Sequence, residues 1–233
     1  MKNNYSFISK IIGVFVLVAF GLCVSDYASE AGSQYSASIK YNAAQADIPA
    51  QFKAEGKARN AVIYVAEFID ARQLDDKKEI GRVRERNDDR NPIFAKEALP
   101  AKAVANGIQV YLKKAGYKVD DKIAQWNLKE STIKRAGGGL LIGGTIEEME
   151  VTCWRGVFSH AYKTNVKLTI VFANPANGTI LYRCRVESSS SKDDVSFSEE
   201  QIGQRLSAAL GDALEKIFKD KDMAQKIKEV IDK

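Results

Sequence analysis

Between His160 and Ala173, apolar and polar side chains alternate with almost no interruption. One set of alternate positions holds Tyr162, Thr164, Val166, Leu168, Ile170 and Phe172, and the other begins with Lys163, Asn165, Lys167 and Thr169. A period of two is that of a β-strand, which points successive side chains to opposite faces of its sheet. The pattern therefore predicts a strand with one buried face and one wet face, as antiparallel sheets commonly have.

The stretches on either side of this strand predict its neighbours in an antiparallel meander. The segment LLIGGTIEEMEVTCW, residues 140–154, precedes it, and TILYRCRVES, residues 179–188, follows after the turn cluster NPANG. Gly143 and Gly144 predict a β-bulge in the first of these strands. The polar run SSSSKDDV, residues 188–195, predicts a spacer after the last strand.

Three further segments predict the rest of the core. The apolar run AVIYVAEFID, residues 61–70, is typical of a central strand. A helix is predicted from Pro100, which suits a first helical turn, to Gly116, which suits a helix end. Ser198 forms a capping box with Gln201 and begins a second helix. The apolar stripe of this second helix comprises Ile202, Leu206, Leu210, Leu214, Ile217 and Phe218.

These elements predict an α/β fold, more narrowly α+β, of two layers. A mixed, largely antiparallel sheet would be covered on one face by the helices. Residues 61–220 form the single predicted domain, and residues 221–233 form a C-terminal amphipathic tail helix. Within the domain, residues 120–139 are predicted to contain a short helix.

The first 23 residues have the pattern of a signal peptide with an imperfect lipobox. Lys2 and Lys10 precede an unbroken apolar run, residues 11–24, and together these form the charged and apolar regions of a secretory signal. As a helix, the run would be about 21 Å long, short of the roughly 30 Å hydrocarbon core of a bilayer. The pattern therefore predicts export, and a helix retained as a membrane anchor is the alternative.

Cys23 closes the apolar run and predicts a lipid anchor. Signal peptidase cuts before a lipobox cysteine, whose thiol is diacylglycerylated, but a small residue usually precedes it, where this chain has Leu22. Ordinary cleavage nearby is the alternative. Residues 24–60, rich in alanine, serine and glutamine, predict a flexible tether between the anchor and the domain.

The charge of the chain argues against one class of partner. There are 35 basic and 30 acidic residues, and the net charge falls from +5 to +3 when the signal, with Lys2 and Lys10 and no acid, is removed. This charge is mild and mixed, whereas a nucleic-acid-binding protein carries a clustered basic face. No nucleic-acid partner is predicted.

A segment dense in both charges, residues 72–90, follows the first core strand. Because it has no periodicity, it predicts a long solvated loop, and long loops in compact domains are often binding loops. The candidate partner-binding residues are Arg72, Asp75, Lys78, Arg82, Arg84 and Arg86. A hydrolase that uses the carboxylates of residues 70–89 is an alternative, but the interspersed arginines and lysines would keep those carboxylates ionised.

Few other residues could carry chemistry. His160 is the one histidine, and no G-x-S-x-G motif accompanies it, so neither a catalytic triad nor a zinc site is predicted. The glycines of GGGLLIGGT precede a strand, whereas a phosphate loop precedes a helix. The sequence therefore predicts no catalytic residue, no metal and no cofactor.

Several motifs, taken in order, resemble the YajG-type family of uncharacterised bacterial lipoproteins. They are YNAAQADIPAQ, VIYVAEFIDAR with EIGRVRER, PAKAVANGIQVYLKKAGYKV, LLIGGTIEEMEV and VKLTIVFANPANGTILYRCRVES, which cover nearly all of the mature chain. The resemblance implies an α/β domain on the periplasmic side of the outer membrane of a Gram-negative bacterium. It also implies that no enzymatic activity is assigned to the family.

The sequence thus predicts a non-enzymatic, exported envelope lipoprotein that is an accessory or scaffolding component at the outer membrane. Its predicted partners are the membrane, through a lipid anchor on Cys23, and a protein of the cell envelope. An alternative is a lipid or glycolipid transport auxiliary protein, which would require an apolar cleft between sheet and helices.

Overall fold

One mixed sheet forms the centre of the computed structural model, which describes residues 33–87, 89–135 and 139–231. Within these residues the strands are β1 (Tyr35–Ala37), β2 (Val62–Val65), β3 (Ile69–Asp70), β4 (Glu79–Arg84), β5 (Arg90–Ala95), β6 (Lys118–Val119), β7 (Leu140–Arg155), β8 (His160–Asn174) and β9 (Thr179–Asp194). The helices are α1 (Pro100–Lys114), α2 (Glu199–Lys219) and α3 (Lys221–Ile231). The predicted signal peptide and Cys23 lie outside the described residues.

The longest strands set the order of the sheet around β7. β8 lies antiparallel on one side of β7, and β9 lies antiparallel beyond β8. On the other side, β2, β3 and β4 follow one another along β7, each parallel to it. β6 borders β2, β5 borders β4, and β1 borders β5. The predicted mixed, largely antiparallel sheet with helices on one face is confirmed.

The core lies between the helices and the inner face of this sheet. The predicted alternation of β8 is confirmed, because Tyr162, Val166, Leu168, Ile170 and Phe172 are all buried. The predicted stripe of α2 packs against them. α3 buries Met223, Ala224, Ile227 and Ile231 in the same core, so this predicted tail helix is part of the domain.

The prediction of a flexible tether is wrong for residues 33–60. Ile39, Ile48 and Phe52 are buried among the helices, and the ring of Phe52 lies 4.6 Å from the ring of Phe218. The Lys114 ammonium, at the end of α1, donates hydrogen bonds to three backbone carbonyls of residues 43–46. Most of the buried residues here are alanines, and small side chains at irregular spacing give no periodic signal.

The prediction of a long solvated loop at residues 72–90 is also wrong, because β4 lies within the segment and β5 begins at its last residue. Ile80 and Val83 are both fully buried although they stand three residues apart. A register shift at Gly81 explains this spacing, since a β-bulge adds a residue and breaks the period of two. A Cβ at Gly81 would lie 1.8 Å from the Val151 carbonyl oxygen, so no larger residue fits.

Two smaller predictions in the sheet are corrected. The bulge in β7 lies between Ile146 and Glu148, not at the paired glycines, and a Cβ at Gly144 would lie 2.2 Å from the Thr169 carbonyl oxygen. The predicted spacer at residues 188–195 is the continuation of β9, which pairs with β8 as far as Asp194.

The predicted short helix at residues 120–139 is absent from the described part of that segment, where one 3-10 turn, Glu130–Thr132, is present. The segment instead covers part of the second face of the sheet. Trp126 and Ile133 pack there against Leu141, Val171 and Ala173. The rest of that face is open, with polar and charged side chains along β7, β8 and β9.

Candidate functional site

The structure does not bring the six predicted partner-binding residues together. Arg72 is buried; Asp75 and Lys78 lie exposed in the turn before β4; and Arg82, Arg84 and Arg86 belong to β4 and the turn after it. Lys78 and Arg84 stand at opposite ends of β4, about 20 Å apart at the spacing of a strand. The six residues therefore cannot form one binding loop.

Arg72 is a structural residue, with a side chain only 5% exposed. Its Nε and Nη2 donate to the two carboxylate oxygens of Asp70, at 2.9 and 2.6 Å. Its Nη1 donates to the carbonyls of Glu79 and Met149, and Nη2 also donates to the carbonyl of Lys77. All five N–H groups of the guanidinium are thus used. Arg72 holds the turn between β3 and β4 against β7.

Asp70 and Asp89, the carboxylates at the two ends of the acidic segment, are too far apart to form a catalytic pair. Asp70 lies beside Ile146 on β7, whereas Asp89 follows the turn beyond Arg84, which lies beside Trp154. Eight strand residues separate these two levels of β7, about 26 Å. The carboxyl pairs of glycosidases stand less than about 10 Å apart. Asp88 lies outside the described residues.

Strand register brings three connections together at one end of the sheet. Arg84 of β4 is opposite Arg90 of β5 and beside Trp154 of β7, while His160 of β8 is opposite Asp194 of β9. The turns β4–β5 and β7–β8 and the connection from β9 to α2 therefore lie side by side. We call this region the hairpin end, defined by Arg84, Arg86, Arg90, Trp154, Val157, Phe158 and Val195.

The hairpin end exposes apolar side chains to an unusual degree. Phe158 is 89% exposed, Val195 82% and Val157 61%, the three highest values for large apolar side chains among the described residues. Val157 and Phe158 occupy the tip of a tight turn, in which the Gly156 amide donates to the Ser159 carbonyl at 3.1 Å. Exposed clusters of apolar residues mark interaction sites more often than scattered ones do.

A packed polar network lies beneath these apolar residues. Arg155 donates to Glu85 at 3.1 Å, and its guanidinium lies 4.4 Å from the centre of the Phe197 ring. The Tyr35 hydroxyl donates to the same oxygen of Glu85 at 3.1 Å. Burial, with the hydrogen bond to Glu85, raises the pKa of Tyr35, and the Glu85 carboxylate raises the pKa of Arg155. This network fixes the N-terminal strand β1 to the hairpin end.

The arginines of the hairpin end are left available to a ligand. Among the described residues, no carboxylate forms an ion pair with Arg84, Arg86 or Arg90. The Arg84 guanidinium lies 5.5 Å from the centre of the Trp154 ring, and its Nε is buried without a hydrogen-bond partner. Like charges directly opposite one another destabilise a sheet, so an anion beside Arg84 and Arg90 would be favourable.

Sequence reasoning missed the apolar half of the hairpin end. The stretch RGVFSH carries two large apolar residues within a turn between two strands. Because turns favour glycine, asparagine, aspartate and serine, that pair was the available signal. Val195 was missed because residues 188–195 were predicted to be a polar spacer.

The described residues contain neither a reactive cysteine thiol nor a cluster of metal-ligating side chains. Burial raises the pKa of the Cys153 and Cys184 thiols to about 11, so they form little of the nucleophilic thiolate at neutral pH. Among the described residues, no three acidic, cysteine or histidine side chains are grouped as a metal ion requires. No helix in the same part of the chain combines the length and apolar character needed to span a bilayer.

The lipid-transport alternative required an apolar cleft between the sheet and the helices. In the described residues, buried side chains of the core fill that space. A groove of about 830 Å³ lies instead outside the core, between α2 and residues 36–46. Lys40, Glu199, Asp212 and Glu215 are among its lining residues. This mixed, charged lining is unlike the mostly apolar lining of small-molecule sites.

The described residues form an α+β domain around one mixed sheet. The family model described as an uncharacterised lipoprotein, Lipoprotein_16, matches residues 49–228. The chain therefore belongs to this lipoprotein family, and the predicted resemblance to the YajG-type lipoproteins is confirmed. No curated protein matches the chain.

Several solved structures are similar in architecture. A Xanthomonas campestris protein of the DUF330 family is 11% identical, covers 84% of this chain and 98% of its own, and has a TM-score of 0.44. A neuraminyllactose-binding hemagglutinin homologue from Helicobacter pylori is 13% identical over 76% of this chain and 95% of its own, with a TM-score of 0.41. A Neisseria meningitidis lipoprotein is 13% identical over 65% and 96%, with a TM-score of 0.33. Family membership rests on the sequence match alone.

Proposed function

We propose that the protein is an exported envelope lipoprotein without a catalytic role, an accessory or scaffolding component on the periplasmic side of the outer membrane. A lipid on Cys23 would attach it to that membrane, and a second envelope protein would bind its domain. Membership in a lipoprotein family supports the anchor and the export.

The observation that carries this proposal is where the folded domain begins. β1 starts at Tyr35, and residues from 33 onward belong to the described fold, so only nine residues separate Cys23 from it. A fully extended chain covers at most about 3.6 Å per residue, which limits the gap to about 35 Å. A lipid on Cys23 would therefore hold the domain close to the membrane, as an accessory protein at that surface requires.

The open face of the sheet is the surface that we assign to the protein partner. It is formed by side chains of β7, β8 and β9, including Thr152, Lys163, Asn165, Lys167, Arg185, Glu187 and Ser189. Lys167 lies 3.5 Å from both Glu148 and Glu187, and Arg185 pairs with Glu147. This ordered but solvated array of charges can exchange its internal ion pairs for pairs with another protein at little cost.

Photo-crosslinking in intact cells tests this assignment. A photoreactive amino acid at Lys163 or Ser189 lies on the open face, and one at the exposed Gln225 of α3 lies on the helical side as the matched control. We expect both open-face positions to yield the same crosslinked envelope protein, and the control to yield none. Failure of both open-face positions to crosslink, or the same products from all three positions, would reject the assignment.

A further inference from the structure

We propose that the hairpin end docks onto the bilayer surface that holds the lipid of Cys23. Phe158, Val157 and Val195 would enter the interfacial region, and Arg84, Arg86 and Arg90 would bind the phosphate groups of the lipids. This inference rests on the proposed function, since it takes the lipid anchor as given, and it adds how the anchored domain is oriented.

The first support is the clustering of exposed apolar residues at one end. The described chain exposes seven large apolar side chains by more than a third, and the three with the greatest exposure all lie at the hairpin end. They project from narrow connections, a four-residue turn and the segment between β9 and α2, and not from a flat or concave face. Protruding apolar side chains of this kind suit insertion between lipid head groups.

The second support is the path of the chain. β1 runs parallel to β5, with Tyr35 opposite Ile93, so residue 33 lies toward the end of β5 that carries Arg90. The hydrogen bond from Tyr35 to Glu85 and the edge-to-face contact of Tyr35 with Phe197, at 5.4 Å, hold it there. The chain therefore enters the described fold, at residue 33, from the hairpin end.

The third support is charge. Arg84, Arg86 and Arg90 flank the apolar tip, and no described carboxylate pairs with them. Of the carboxylates described in this region, Glu85 pairs with Arg155 and Asp194 pairs with Arg205. Asp89 accepts a hydrogen bond from the neutral Asn87 amide, and Asp193 lies on β9 two residues before Val195. Arginines next to an apolar tip are attracted to anionic lipids, and Trp154 is a residue type enriched at membrane interfaces.

Fluorescence of the reconstituted lipoprotein tests the docking. The full lipidated protein is placed in vesicles of phosphatidylethanolamine and phosphatidylglycerol, with a polarity-sensitive thiol probe on Phe158→Cys. Cys153 and Cys184 react poorly because burial raises their pKa, so the probe is selective. Ala176→Cys, in the exposed turn at the opposite end of β8, is the matched control.

We expect nitroxide-labelled phospholipid to quench the probe at position 158, and iodide not to reach it. The probe at position 176 should be quenched by iodide and not by the labelled phospholipid. Replacing Arg84, Arg86 and Arg90 with glutamine should lower the ratio of docked to undocked protein, as the probe reports it, about fivefold for each arginine. Added salt should also lower this ratio, because it screens the attraction to anionic lipids. Phe158 is exposed, so its replacement does not disturb folding.

Flotation of the vesicles separates the two proposals. If the protein floats with the vesicles but iodide reaches both probes equally, the anchor holds and the docking is overturned. Shielding of position 158 that rises with protein concentration and needs no lipid would indicate a second copy of the chain, and would also overturn it. If the protein does not float, while its Cys23→Ala variant behaves identically, the proposed anchor itself fails.

Discussion

At the scale of single residues, the role of Arg72 shows how position outweighs residue type. The same segment contains buried Arg72 and exposed Arg86, and both are arginines in a run of mixed charge. Arg72 is buried because Asp70 and three backbone carbonyls supply a partner for every donor that it has. A buried charge is tolerated when its hydrogen bonds are complete.

Replacement of Arg72 should therefore destabilise the fold. We expect Arg72→Ala to lower the free energy of unfolding by about 3–5 kcal/mol, because it leaves the Asp70 carboxylate buried without its partner. Arg72→Lys should recover only part of this, since one ammonium cannot reproduce five directed donors. Chemical denaturation measures both variants.

The matched control for Arg72 is Arg86→Ala, which should change the free energy of unfolding by less than about 0.5 kcal/mol because Arg86 is exposed. Equal effects at the two positions would show that Arg72 is solvated, as the sequence alone had predicted.

At the scale of elements, regular patterns were predictable and interrupted ones were not. The strand β8 and the helices α1 and α2 follow one uninterrupted period each, so their bounds and buried faces could be predicted within a few residues. β4 was missed because the bulge at Gly81 breaks its period. The segment of residues 33–60 was missed because its short elements have no period and its contacts are made to distant helices.

At the junction between α2 and α3, hydrogen bonds to Asp220 join these helices to β9, and their contribution to stability depends on pH. Asp220 accepts hydrogen bonds from the Met223 and Asp222 amides at the start of α3, and from the Tyr182 hydroxyl of β9 at 2.8 Å. The Tyr182 hydrogen bond, opposed by partial burial, is the main cause that lowers the pKa of the Asp220 carboxyl. The same bond raises the pKa of Tyr182 to about 12.

Loss of this bond should have its full effect above the pKa of an unfolded aspartate and progressively less effect below it. A carboxyl with a lowered pKa in the fold stabilises the protein fully above about pH 4, and this stabilisation is lost as the pH falls through the folded value. We expect Tyr182→Phe to cost about 1 kcal/mol at pH 7 and progressively less toward pH 3.

Denaturation at pH 7 and pH 3 measures that difference. Tyr64→Phe is the control, because the Tyr64 hydroxyl makes no described hydrogen bond and its replacement should show no such dependence on pH. A cost of Tyr182→Phe that stays constant between pH 7 and pH 3 would show that Asp220 does not titrate with the contact.

At the scale of the whole molecule, the fold class and the family could be predicted, but the site only in part. Arg84 and Arg86 of the hairpin end were among the predicted partner-binding residues, whereas Arg90, Val157, Phe158 and Val195 were not. Neighbouring turns come together only through strand register, with Arg84 beside Trp154 and His160 opposite Asp194. No local pattern contains that register.

The most direct measurement of the central claim is the lipid content of the mature protein. Radiolabelled palmitate is supplied to cells that make the wild-type chain or its Cys23→Ala variant, and the membrane fraction is examined. We predict label on the wild type, in the membrane fraction, and none on the variant. An unlabelled wild-type chain of full length, uncut and soluble inside the cell, would contradict both the export and the anchor.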